Sequence, residues 1–85
     1  MESKEFKNIL RELRKRNSLT QKELATALNV SEITVRSYEA GRREPSFDVI
    51  VKLEKYFDVT ASYLYGNDDI SISKDEVEEG FTRVD

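Results

Sequence analysis

The 85-residue chain contains no cysteine, no histidine, one proline and three glycines. Without cysteine there is no disulfide to staple so small a domain. With histidine missing as well, a zinc site would rest on carboxylates alone, which suit that ion poorly; no metal and no cofactor are expected. The same two absences remove the usual general bases and nucleophiles. Carboxylates remain, but no glycine-rich phosphate loop or paired-acid motif stands out, so no enzyme is expected. No apolar run approaches the ~20 residues of a membrane span, and the first fifteen residues, MESKEFKNILRELRK, lack the apolar stretch of a secretory signal. The expectation is a soluble, cytoplasmic protein held together by packing alone. No ligand pocket is evident.

An excess of positive charge is also lacking overall: the formal net charge is −3. Its distribution matters more than its sum. Residues 1–66 carry 12 basic and 10 acidic side chains, whereas residues 67–85 carry 2 and 7. A mildly basic body thus precedes an acidic tail. The local field, rather than the overall balance, decides an encounter with a charged partner.

What the chain has is helical periodicity. Phe6, Ile9, Leu10 and Leu13 recur at helical spacing among charged residues, with Ser3 as N-cap and Glu5 in the first turn. This helix should end near Arg16, before the turn residues Asn17 and Ser18. Thr20-Gln21-Lys22-Glu23 reads as a capping box opening a short helix that buries Leu24, Ala25 and Leu28. Asn29 suits the left-handed conformation that ends helices. Ser31 caps a third helix, with Val35 and Tyr38 inward and Gly41 as its stop. Ser46 caps a fourth, with Val49, Ile50, Leu53 and either Tyr56 or Phe57 on the core side. Asp58 and Val59 form a break, and Thr60 begins a brief fifth helix holding Leu64. Residues 67–85 read as a tail in which Ile70-Ser71-Ile72 alternates like a strand.

The segment from Gln21 to Ala40, QKELATALNVSEITVRSYEA, carries the functional signal. Two short helices meet across a tight turn, with Leu24, Leu28, Val30, Val35 and Tyr38 on a shared interior and the small Ala25 at the crossing. This is the pattern of a DNA-binding helix-turn-helix, whose second helix enters the major groove. The chain resembles the Cro/C1-type (XRE) family that includes the phage repressors and Cro proteins. The resemblance covers residues 6–66. It rests on LTQKELA (Leu19–Ala25), the run from Val30 to Pro45 and the closing stretch from Phe57 to Gly66. It departs from the family at Asn29, where glycine is commoner, and in the tail. The resemblance implies an all-α, five-helix, lambda-repressor-like DNA-binding domain over residues 1–66, with the motif at about 20–40, acting on double-stranded DNA as a homodimer. The acidic tail, residues 67–85, is left either disordered or dimerising.

Helical counting at about 100° per residue sets Ile33, Arg36, Ser37 and Ala40 opposite the buried side, with Glu32 and Thr34 on the flanks. Ile33 would meet a thymine methyl or stand as a scattered surface residue. Arg36 would pair with guanine, grip a phosphate or pair with Glu32 one turn back. Glu32 would accept from a cytosine amino group or complement the helix N-terminus. Thr34 would reach a phosphate and Ser37 the groove, or each would stay solvated. Arg42 and Arg43, in the following loop, would contact phosphate or stand as a solvated charge pair. By resemblance, Gln21 contacts phosphate and braces the start of the recognition helix. By resemblance also, Arg14 and Glu39 form a partly buried structural ion pair, and Tyr63 and Tyr65 lie where relatives pair across a two-fold axis, although core packing accounts for such aromatics slightly better. The reading is a transcriptional regulator, a repressor on a palindromic operator. The alternative is an interaction module, such as an antitoxin or a regulator whose protein partner grips residues 67–85.

Overall fold

The computed structural model describes residues 5–67, and over these the protein is all-α. Five helices follow one another: α1 (Phe6–Arg16), α2 (Gln21–Leu28), α3 (Glu32–Ala40), α4 (Phe47–Phe57) and α5 (Ala61–Leu64). The acidic tail beyond Asn67, with its Ile70-Ser71-Ile72 stretch, lies outside the described residues, as does Ser3.

Each boundary has a local cause. The hydroxyl of Thr20 accepts from the Glu23 amide at 3.0 Å, and the Glu23 carboxylate accepts from the Thr20 amide at 2.9 Å, which satisfies two orphan donors reciprocally. Ser31, Ser46 and Thr60 accept in the same way from the amides of Thr34, Val49 and Tyr63. Asn29 and Asp58 close α2 and α4 in the left-handed region at φ 60° and 58°, and Gly41 closes α3 at φ 77°. α1 differs from its expected start. Glu5 occupies the N-cap position rather than the first turn, and its side chain makes no cap hydrogen bond. The start is anchored by Phe6, whose ring meets Tyr38 edge-on at 6.4 Å and stacks on Tyr65 at 5.4 Å.

Leu10, Leu24, Leu28, Val35, Leu53 and Leu64 are fully buried in one core to which every helix contributes. Burial of each such side chain contributes about 1.5–3 kcal/mol. The choice between Tyr56 and Phe57 falls to Phe57, which packs against the core while Tyr56 stands exposed with its ring edge-on to Phe57 at 5.1 Å. Two side chains of α4 fasten other elements. The Lys52 ammonium donates to the Leu28 carbonyl at 3.2 Å, at the end of α2, and the Glu54 carboxylate accepts from the Ala61 amide at 2.7 Å, at the start of α5.

Candidate nucleic-acid interface

α2 and α3 pack against each other across the three residues Asn29–Ser31. The Val30 amide returns to the Ala25 carbonyl at 3.0 Å, and Ala25 is buried at 3% exposure where a larger side chain would separate the helices. This packing turns Val35, Tyr38 and Glu39 of α3 inward. The opposite side is free. Ile33 is 70% exposed; Arg36 and Ala40 are exposed, and Glu32, Thr34 and Ser37 are half-buried. The Thr34 hydroxyl is engaged with that of Ser31 at 2.9 Å. An apolar β-branched side chain held outward on a short, doubly capped helix keeps its methyl groups in water and open to contact.

Beneath that face runs a chain of polar contacts. Arg14 of α1 sends Nε to Glu39 Oε2 at 2.7 Å and Nη2 to Glu39 Oε1 at 3.0 Å, a two-pronged pair. Its Nη1 holds the Leu19 carbonyl at 3.0 Å. Gln21 Nε2 donates to Glu39 Oε1 at 3.1 Å, and Gln21 Oε1 accepts from Arg36 Nε at 3.4 Å. Arg36 Nη2 in turn reaches Glu32 Oε2 at 3.2 Å. Gln21 therefore links the buried pair to the outward face. Burial alone would raise the Glu39 carboxyl pKa, but hydrogen bonds from Arg14 and Gln21 and the charges of Arg14 and Arg11 hold it below its usual value. The hydrogen bond to Glu39 likewise raises Arg14 against the effect of its own desolvation.

The loop after α3 begins at Gly41, where an added Cβ would lie 3.0 Å from Lys7 Cδ in addition to straining the backbone. The Arg42 amide ties back to the Ser37 carbonyl at 2.9 Å. The Arg42 and Arg43 side chains are exposed, and among the described residues neither has a hydrogen-bond or ion-pair partner. Of the two tyrosines, Tyr63 packs against the core and Tyr65 is 42% exposed, stacked on Phe6. Phe6, Tyr38, Pro45 and Tyr65 line a cleft of about 310 Å³, which the sequence did not reveal.

Two residues escaped the sequence reading. Arg11 donates to the Glu39 carbonyl at 2.9 Å and lies 3.8 Å from its carboxylate; its i−3 spacing from Arg14 was the available signal. Phe47 is 80% exposed. Counting back from Ile50 turns it toward the core, but helical side chains lean toward the N-terminus, so a first-turn residue projects past the helix end.

Residues 10–64 match the family described as helix-turn-helix. The HTH-type transcriptional regulator ImmR of Bacillus subtilis is 37% identical over 62 residues, covering 73% of this chain and 49% of ImmR. The chain thus spans about half the length of that relative. Among solved structures, the restriction-modification controller protein C.AhdI from Aeromonas hydrophila superposes with a TM-score of 0.64 at 33% identity, over 71% of this chain and 91% of that one. The P22 c2 repressor protein, solved in complex with a synthetic operator, gives a TM-score of 0.72 over 78% of this chain and 100% of its own, and at 23% identity shows likeness of fold alone. The match runs from within α1 to the last residue of α5, and the chain belongs to the helix-turn-helix family, in its Cro/C1 (XRE) branch.

Proposed function

We propose that the protein is a sequence-specific DNA-binding transcriptional regulator, a repressor that lays α3 in the major groove of a palindromic operator as a homodimer. The observation that carries this reading is the division of α3. Val35, Tyr38 and Glu39 fix it to the body, while Ile33 stands 70% exposed beside Arg36 on the free side. Residues 1–66 serve as the DNA-binding unit. Ile33 contacts a thymine methyl; Glu32, Arg36 and Ser37 face base edges. Gln21, Thr34, Arg42 and Arg43 contact phosphates, which set register without reading sequence. The likeness to a repressor solved on its operator supports the docking, and the relative named as a transcriptional regulator supports the role. Half-sites then lie about one helical turn, ~34 Å, apart.

Selection of binding sites from random duplexes, followed by titration of variants, tests the reading. One palindromic consensus is the expected outcome. Ile33→Ala should lower operator preference by roughly tenfold, in the range of one lost base contact, whereas Arg43→Ala should weaken all duplexes alike and reduce the salt slope by about 1. Equal loss on every sequence for Ile33→Ala removes the base-reading assignment.

A further inference from the structure

We infer that Glu32 and Gln21 are positioning residues for Arg36, presenting its guanidinium end-on to a guanine in the operator. The inference rests on the regulator reading above and deepens it. A guanidinium has five N–H donors arranged in two forks: a side-on fork of Nε and Nη2, and an end-on fork of Nη1 and Nη2. In this protein the side-on fork is already divided between two acceptors. Nε points to Gln21 Oε1 at 3.4 Å, and one Nη2 hydrogen goes to Glu32 Oε2 at 3.2 Å. Of the end-on fork, Nη1 has no partner among the described residues, and Nη2, which carries two hydrogens, keeps one beyond its bond to Glu32. Two parallel donors left free in this way match the O6 and N7 acceptors of guanine in the major groove.

The bracing has depth. Gln21 is itself oriented by Glu39, at 3.1 Å through Nε2, and Glu39 is gripped by Arg14. One hydrogen of the Gln21 amide is therefore committed inward, which turns its oxygen toward Arg36 and leaves the second hydrogen for the phosphate. Glu32 adds a second effect. Its charge compensates that of Arg36, so swinging the guanidinium away to a phosphate would abandon an ion pair and bring a lone carboxylate near the backbone. A base edge becomes the favoured target over a phosphate. Position 36 is thus a reader of G·C whose choice depends on two residues that need not touch that guanine.

The test uses the full 85-residue protein, the selected operator, and duplexes in which each G·C pair of the half-site is changed in turn to A·T or to 7-deazaguanine·C. Arg36→Ala should identify one pair at which discrimination disappears. Glu32→Gln, which keeps shape and removes charge, should reduce discrimination at that same pair by about tenfold, the scale of one bidentate contact, a larger change than it makes to binding of unrelated duplexes. A purely structural role would instead weaken both in parallel. In the Arg36→Ala background, Glu32→Gln should change nothing further at that pair. Gln21→Ala, made separately, should reduce the same discrimination without moving the preference at the pair lost in Ile33→Ala. Unchanged discrimination in Glu32→Gln, or an undiminished effect of it without Arg36, overturns the inference and leaves the regulator standing. Absence of any selected site overturns both.

Discussion

Glu39 is taken almost completely out of water, with its side chain 3% exposed, and burial by itself would drive the carboxyl toward its neutral form. It remains a carboxylate because Arg14, Gln21 and Arg11 surround it, and that makes it a source of pH dependence. Its pKa is lower folded than unfolded. Its contribution is therefore fully present above the ordinary carboxylate range and lost as the pH falls through the depressed folded value. Urea unfolding followed from neutral pH downward should show this loss, and Glu39→Gln should flatten that part of the profile. Arg14→Ala strands the charge and should cost about 3–5 kcal/mol, enough to unfold much of a domain this size. The paired replacement Arg14→Met with Glu39→Leu should recover most of it, as read from urea midpoints. Ile33→Ala, by contrast, should shift the same midpoint by less than about 0.5 kcal/mol, since an exposed side chain loses little on truncation.

Among elements, those with sequence-local causes were legible. The Thr20–Glu23 box, the serine caps and Gly41 mark α2, α3 and α4 because capping depends on residues three apart in sequence. The start of α1 was misplaced because Phe6, rather than a cap, defines it, through rings contributed by α3 and by Tyr65 just past α5. Periodicity alone could not anticipate that contact. The outward side of α3 followed from helical counting, but the partners of Arg36 divided between a local one, Glu32, and a distant one, Gln21, and only the former was evident from spacing. Phe47 was missed because end effects break the periodic rule. The turn offers an element-scale test. Asn29 sits at φ 60°, a region where glycine has no steric penalty and a β-branched residue has a large one. Asn29→Gly should leave thermal stability within about 1 kcal/mol, and Asn29→Val should lower it by about 1–2 kcal/mol. Calorimetry distinguishes them. Thr20→Ala should cost about 1 kcal/mol through the lost box.

For the whole molecule, the overall charge of −3 misrepresents the surface that matters, because the acidic excess lies in residues 67–85 while Arg36, Arg42 and Arg43 cluster on and after α3. Under the proposed reading, DNA binding is expected to weaken steeply with salt, as cations released from the DNA backbone drive association; titration at two salt concentrations checks it. No helix among the described residues is long and apolar enough to cross a membrane. One fastening governs how the molecule comes apart. α5 has four residues, too few to persist unaided, and the Glu54 carboxylate grips its first turn from α4. Yet Leu64 on α5 is wholly sequestered. The weakest helix is therefore also a stopper. When it lifts, water reaches the core that α5 shares with α1 and α4, so fraying at this end is expected to spread inward instead of remaining a harmless local event.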